Sequence, residues 1–249
     1  MKRFLMASTV AMGLAVGSAA VAFAGSLPSG VTSITGVIVN QTGTPSVPSS
    51  TTGLTIDGIS LLNFGTATGT GFQSGLGTGA SASYPMTILI QNNSGASPES
   101  GYYAGFTSNV AATPFSAGSM QEYLAAEPNG SITLRFPSGQ NSFNLLWGTV
   151  DSYNSVALSF AGAADPMVTG SDILNNIPNL TAGKSDALVN IDLSQPFTSV
   201  TLTSTQAAFE FDPGVSVPEP GSLALLGAGL LGLGFAMIRR RKNLTRDPR

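Results

Sequence analysis

Two carboxylates near the end of the chain are the first residues whose types and spacing could do chemistry. Glu210 and Asp212 lie two residues apart in the segment Ala207–Gly214, so in a strand they share one face while Phe209 and Phe211 share the other. Two carboxylates on one face could bind Ca²⁺ together with backbone carbonyls or act as an acid–base pair on a glycoside. We favour the simpler interpretation, a last strand whose polar side faces water, because neighbouring carboxylates repel each other unless a cation joins them.

Asp151 and Asn154 form a second candidate, within the segment Phe143–Phe160. They could supply oxygen ligands to Ca²⁺ or contact a glycan. Their residue types also suit a tight reversal, because Asp and Asn bond the local backbone and tolerate positive φ. We therefore expect a β-hairpin here, with Trp147, the only tryptophan, in the core. The only cofactor that these residues leave open is weakly bound Ca²⁺.

The composition excludes most other kinds of catalytic and metal-binding site. The chain has no cysteine and no histidine, so Cys–His and Ser–His–Asp nucleophilic sites cannot be built, nor can zinc sites of the usual kind. Residues 25–217 contain two basic and eleven acidic side chains, which gives a net charge of −9 against −3 for the whole chain. Two cations cannot neutralise a phosphate backbone, so we expect no nucleic-acid partner.

The N-terminus has the layout of a secretory signal peptide. Two basic residues precede the mostly apolar run Phe4–Val21, and small residues stand at Ala22 and Ala24. We predict that signal peptidase cleaves after Ala24 and leaves Gly25 as the mature N-terminus. The alternative is an uncleaved anchor helix, because the run approaches the length of a bilayer span.

Residues 25–216 are predicted to form one mainly β extracellular domain, an antiparallel β-sandwich of jelly-roll-like type. Alternating or β-branched runs bounded by Gly, Pro, Asn, Asp and Ser are typical of strands and turns. A single helix is expected from the capping-box pattern of Ser119 and Glu122, with Pro128 ending it. The predicted strands are Val31–Val39, Leu54–Leu62, Met86–Gln91, Tyr102–Phe106, Ser131–Phe136, Phe143–Trp147, Ser155–Phe160, Ala187–Leu193, Phe197–Thr203 and Ala207–Phe211.

The C-terminal tail has the pattern of a stop-transfer element. Leu223–Ile238 is an uncharged apolar run of sixteen residues, which as a helix would span about 24 Å, somewhat short of the ~30 Å hydrocarbon core. Bilayer thinning and snorkelling arginines make such a span feasible. The basic block Arg239–Lys242 predicts that residues 244–249 stay cytoplasmic while the body lies outside. We expect a transmembrane helix over 223–238 and a membrane-held intermediate.

The tail also resembles the PEP-CTERM sorting signal of Gram-negative bacteria. A Pro-Glu-Pro triplet, an apolar run and a basic block follow one another over residues 217–243. The resemblance implies that an exosortase, a membrane-embedded cysteine transpeptidase, recognises the triplet and releases the protein from its tail. It also implies an association with exopolysaccharide and biofilm matrix. The residues that carry this signal are Pro218, Glu219, Pro220, Arg239, Arg240 and Arg241.

The body is similar to a group of exosortase-dependent surface proteins. That group has a Trp-Gly-Ser-x-Asp-x-Tyr-Asn-like hairpin, present here as Trp147–Asn154, and an Ala-Phe-Glu-x-Asp strand, present as Ala208–Asp212. Thr149 is a conservative departure. Pro213 stands where the pattern has Asn, which argues against a metal role for that strand. The resemblance implies an address and an architecture but no activity.

These observations predict an exported cell-surface or extracellular-matrix protein with a structural or adhesive role in biofilm or exopolysaccharide, and no enzyme activity. One alternative is a Ca²⁺-assisted carbohydrate-binding module. The other is an exported hydrolase that uses a carboxylate pair.

Overall fold

The computed structural model describes residues 26–40, 55–56, 59–74, 84–105, 113–115, 119–128, 130–160 and 165–216. All strand pairings in this part of the chain are antiparallel, which confirms the mainly β prediction. The elements are β1 Val31–Asn40, β2 Thr55–Ile56, β3 Ile59–Leu61, β4 Gly71–Gln73, β5 Thr87–Asn92, β6 Gly101–Ala104, β7 Glu122–Ala126, β8 Gly130–Gly148, β9 Asn154–Phe160, β10 Met167–Thr169, α1 Gly170–Asn176, β11 Asp186–Ser204 and β12 Phe209–Ser216.

The strands form one hydrogen-bonded sheet with the order β10-β9-β11-β8-β12-β7-β6-β4. Strands β1 and β5 pair with β11 and β8, and β3 joins β2 to β12. The two longest strands, β8 and β11, have 19 residues each. They stay paired from Trp147↔Ala187 to Ile132↔Leu202, with register irregularities between Asp192 and Ser199. They divide the sheet into half A, with β5, β9 and β10, and half B, with β1, β2, β3, β4, β6, β7 and β12.

Strand β11 must fold over at this irregular stretch. A straight strand of 19 residues would be roughly 60 Å long. Both ends of β11 nevertheless bond to the short loop after β8: the Thr149 amide donates to Asp186 Oδ1 at 2.6 Å, and the Ser204 hydroxyl donates to Asn154 Oδ1 at 2.7 Å. Five residues of chain reach at most ~18 Å. The structure therefore has a single sheet that folds over at this stretch, and the jelly-roll-like sandwich stays a prediction.

One hydrophobic core lies between the two halves. Alternate residues of each strand point into it, and full burial of such a side chain contributes about 1.5–3 kcal/mol. Trp147 is fully buried there, with its ring stacked on Phe209 at a centroid distance of 4.3 Å, as the sequence predicts. Half A contributes Ile132, Leu134, Val156, Leu158, Val200 and Leu202. Half B contributes Leu124, Leu145, Trp147, Val189, Ile191, Phe209 and Phe211.

The predicted hairpin around Asp151 is wrong. Strand β9 pairs with β11 and β10 rather than with β8, so the turn after β8 carries the chain from half B across to half A. The sequence pattern shows a reversal but does not identify the partner strand. Strands β8 and β11 each contain two of the predicted strands, because each continues through the polar stretch between them.

The predicted helix near residues 119–126 is also wrong. Residues 122–126 form β7, which is buried throughout and pairs with β6 and β12. Strand pairing on both sides outweighs the local capping pattern, and the Ser119 hydroxyl instead accepts from the Gln121 amide at 3.1 Å. The helix that does form is α1, where Thr169 and Asp172 make a capping box.

The predicted signal peptide, cleavage site, sorting residues and transmembrane segment lie outside the described residues. Within the described part of the chain, the structure has no helix that is long and apolar enough to cross a membrane.

Candidate functional site

The candidate residues lie around the loop 149–153, where the chain leaves β8. Thr149 has φ of 42°, in the left-handed region that a β-branched residue rarely adopts. Two carboxylates hold it there. The Thr149 amide donates to Asp186 Oδ1 at 2.6 Å, and its hydroxyl donates to Glu210 Oε2 at 3.2 Å. These carboxylates come from the neighbouring strands β11 and β12, so they fix the turn against the end of the sheet.

Asp151 is fixed within the same loop. The Tyr153 hydroxyl donates to Asp151 Oδ2 at 2.8 Å. Burial raises the pKa of Asp151, and the hydrogen bond from Tyr153 opposes that rise. The main chain of Asp151 lies directly against the start of α1, because a Cβ on Gly170 would overlap its carbonyl oxygen. The loop is thus packed on the helix, and its aspartate has one oxygen in use.

Asn154 connects the two halves of the sheet and is fully buried. Its Nδ2 donates to the Ala208 carbonyl at 3.4 Å, and its Oδ1 accepts from the Ser204 hydroxyl at 2.7 Å. The predicted Ca²⁺ ligand therefore has its carbonyl oxygen engaged in the fold. Its observed role is to tie the start of β9 to the segment before β12.

Glu210 is buried, with 3% of its surface exposed. It stands between Ala125 of β7 and Gly148 of β8. The expectation that this side of β12 faces water is wrong, because a second apolar cluster covers that side of the sheet. This outer cluster consists of Leu61, Tyr103, Phe115, Tyr123, Ala125, Leu146, Leu188 and Ala208.

Asp212 lies two residues further along β12, opposite Leu146, and is fully buried. Neither carboxylate oxygen has a hydrogen-bond donor among the described residues. Burial raises the pKa of Asp212 well above its usual range, and the nearby Leu62 amide lowers it only in part. That amide donates its hydrogen bond to the Pro213 carbonyl at 3.0 Å. Burial without a donor disfavours the charged form of Asp212, and a metal ligand must be deprotonated, so this carboxyl is a poor Ca²⁺ ligand.

Sequence reasoning missed two acidic residues of this region. Asp186 opens β11, and its role depends on the pairing of that strand with the end of β8. Glu127 follows β7, and no pattern in the sequence distinguishes it. Its carboxylate is buried without a hydrogen-bond donor among the described residues. Burial raises the pKa of Glu127 to about 7.

The arrangement supports a structural use of these acids. Asp151, Asn154 and Glu210 belong to one corner of the fold, where Asp151 and Glu210 both raise the pKa of Tyr153, after burial and the hydrogen bond to Asp151. In the described ranges, no group of three acidic side chains is placed to hold a metal ion. The known contacts of Asp186 and Glu210 position a turn.

A pocket of about 310 Å³ lies elsewhere, at the bend of β8. Phe136, Gln140, Ser142, Asn144 and Pro85 are among the residues that line it. The four predicted metal ligands, Asp151, Asn154, Glu210 and Asp212, are not among the lining residues. The pocket is therefore separate from the site around loop 149–153.

The described residues form an antiparallel β body whose last strand, β12, runs to Ser216. The family model of the PEP-CTERM protein-sorting motif matches residues 216–242. The chain therefore carries this motif, which confirms the resemblance of its tail. The motif indicates an exported, cell-surface protein that is sorted through an exosortase, its processing partner. No curated protein and no solved structure matches the chain.

Proposed function

We propose that this chain is a structural or adhesive protein of the extracellular matrix, acting in biofilm or exopolysaccharide. The observation that carries the proposal is the sorting motif over residues 216–242, which begins at the last residue of β12. A folded body joined directly to such a motif is suited to delivery as one unit. Its net charge of −9 keeps it soluble outside the cell.

The proposal includes no catalytic activity and no required cofactor. It is supported by the use of the candidate acids in the fold, since Glu210 accepts from Thr149 and Asp151 accepts from Tyr153. A general acid or base must reach the proton that it transfers. Burial of Glu210 and Asp212 opposes such access.

The route to the surface is also part of the proposal. Signal peptidase removes residues 1–24, and the apolar run Leu223–Ile238 holds the protein in the inner membrane with its body outside. The block Arg239–Lys242 keeps the short end of the chain in the cytoplasm. Exosortase then recognises Pro218, Glu219 and Pro220 and releases the body.

Two changes in the tail test this route. Glu219→Ala, or deletion of residues 239–242, should leave an unprocessed membrane-held form or mislocalise the body. Gel mobility and the fraction of protein released from cells are the measurements. Asp247→Ala is the matched control, because it removes an acid outside the motif and should be released normally. Unchanged release of both motif variants would contradict sorting through exosortase.

The matrix role needs a separate test. Cells that lack this protein should form matrix with less retained mass or weaker cohesion, and the released protein should sediment with isolated exopolysaccharide. Normal matrix, together with no co-sedimentation, would contradict the proposed role but leave export untouched.

A further inference from the structure

Among the described residues, strand β5 is an edge strand of half A. Its residues 87–92 pair with β8 on one side, and on the other side no strand pairs with it among the described residues. Thr87, Ile90 and Gln91 are exposed. Alternate backbone amides and carbonyls of an edge strand point outward and can pair with another chain.

This edge lacks the usual protection. Natural sheets guard their edges with charged residues, prolines or bulges, but residues 84–98 contain no charged side chain. The strand itself, Thr-Ile-Leu-Ile-Gln-Asn, contains neither proline nor glycine. The rest of the body is acidic, with a net charge of −9 for residues 25–217. Two copies can therefore approach each other at this uncharged stretch without placing like charges directly opposite each other.

The last residue of β5 is bonded to the loop that follows the strand. Asn92 Nδ2 donates to the Ser100 carbonyl at 3.0 Å, and the Ser100 amide donates to Asn92 Oδ1 at 2.7 Å. The loop that follows β5 is thereby fastened to its last residue. Residues 87–91, which precede this bonded residue, form about 17 Å of edge strand.

We propose that a second copy of this chain docks on this edge through its own β5, antiparallel and about a two-fold axis at Leu89. This register places Thr87 opposite the partner's Gln91 and Ile88 opposite the partner's Ile90. Such an interface is self-complementary, as closed two-fold symmetry requires. The sheets of the two copies then continue into each other.

The pattern of burial favours this register. Ile88 and Ile90 pair with Leu134 and Ile132 of β8, which are fully buried core residues, so both isoleucines lie on the core side of the sheet. Ile88 packs against the main core, whereas Ile90 is 36% exposed. The two-fold axis brings each Ile88 beside the partner's Ile90. The contact therefore covers an apolar side chain that the single chain leaves open.

The contact is weak and depends on salt. Five residue pairs bury far less than the ~1,600 Å² of a standard stable interface, so the two copies associate reversibly. Each body carries a net charge of −9, and salt screens the repulsion between them. Association strengthens as ionic strength rises. This inference does not rest on the matrix role, because pairing is measured on the isolated exported protein.

A cysteine cross-link tests the register. The chain contains no cysteine, so Leu89→Cys introduces a single thiol at the axis. Directly opposed residues in antiparallel strands have Cα atoms about 4.5–5.5 Å apart, within the range of a disulfide. The control is Met167→Cys on β10, an exposed position at the other edge of half A. We expect disulfide dimers of Leu89→Cys to form at least tenfold faster at equal concentration, and equal rates would overturn the proposal.

Sedimentation equilibrium of the cysteine-free protein gives an independent measurement. The weight-average mass of the exported protein should rise with concentration, and more steeply at 0.5 M salt than at low salt. Ile90→Lys should keep the mass at the monomer value, because it places a charge at the contact. Met167→Lys, the matched control, should associate like the natural protein. A mass independent of concentration, or loss of association in both variants, would overturn the proposal.

Discussion

The hydroxyl of Thr149 donates to Oε2 of Glu210 at 3.2 Å. In the sequence, Glu210 has the features of a metal ligand or a catalytic acid, but in the fold it holds a residue with φ of 42°. Asp186 holds the same residue through its amide. The two carboxylates act together as acceptors for a strained turn.

Replacing Thr149 by Val should destabilise the protein by about 1–3 kcal/mol, because Glu210 loses a donor while buried. Val keeps the β-branched shape, so the backbone strain is unchanged. Thr149→Ser keeps the hydroxyl and should stay within about 1 kcal/mol of the natural protein. Urea unfolding followed by Trp147 fluorescence gives both values. Equal destabilisation by Ser and Val would contradict the role of the hydroxyl.

Gly170→Ala should destabilise the fold by more than about 2 kcal/mol. The added Cβ would overlap the Asp151 carbonyl oxygen, which is backbone and cannot rotate away. The loop 149–153 and the start of α1 would have to separate. Gly69→Ala is the matched control, because a Cβ there meets nothing within 4 Å. The same urea series should show little change for the control, and comparable losses in both variants would contradict the contact.

Local patterns predicted the strands well, and they failed where distant chain segments decide. Val200 to Thr203 alternates as half-buried strands do, and β11 contains it. Residues 122–126 have a helical start signal, yet pairing with β6 and β12 makes them a strand. The polar types around Asp151 predicted a hairpin, and only a local turn forms there, in which the Asn154 amide donates to the Asp151 carbonyl at 3.2 Å. They could not show that the chain crosses to the other half of the sheet, because that depends on the bend in β11.

The candidate site shows the same division. The sequence identified Asp151, Asn154 and Glu210, and the structure places them at one corner. The sequence could not show that Glu210 and Asp212 are buried, because the outer cluster that covers them comes from several distant segments. The sequence did not identify Asp186 for the same reason, because its role depends on the pairing of β11 with β8.

Asp212→Asn should stabilise the protein at pH 8 and have little effect near pH 4. Burial raises the pKa of Asp212 well above its usual range, whereas in the unfolded chain it titrates near 3.9. Above that pH the unfolded state loses a proton that the folded state keeps, so the free energy of unfolding falls as pH rises. Asn does not titrate, so the variant does not lose this part of its unfolding free energy as pH rises. The measured quantity is the difference in unfolding free energy between variant and natural protein, from pH 4 to pH 8.

Glu99→Gln is the matched control for that series, because Glu99 is exposed. Glu127→Gln should behave like Asp212→Asn but reach its full effect by about pH 7, where the pKa of Glu127 lies. A pH-independent difference for Asp212→Asn would mean that its carboxyl is ionised in the fold.

The mature N-terminus should be Gly25. Ala22 and Ala24 supply the small residues that signal peptidase requires. Mass spectrometry or N-terminal sequencing of the exported protein measures this directly. Ala24→Phe should slow cleavage, whereas Gly25→Ala should not. An exported form that begins at Met1 would show that the segment is an uncleaved anchor.

Millimolar calcium should raise the melting temperature by a few degrees at most. Weak extracellular sites bind with dissociation constants near 10⁻⁴–10⁻³ M, and binding at ten times that constant stabilises a fold by only about 1.4 kcal/mol. The carboxylates here are buried or engaged by Thr149 and Tyr153, so a cation would first have to displace these donors. Glu210→Gln should shrink whatever gain calcium gives, while Glu99→Gln should leave it unchanged. A large calcium-induced shift, or glycan hydrolysis that Glu210→Gln abolishes, would favour a dedicated metal site or an enzyme over a structural protein.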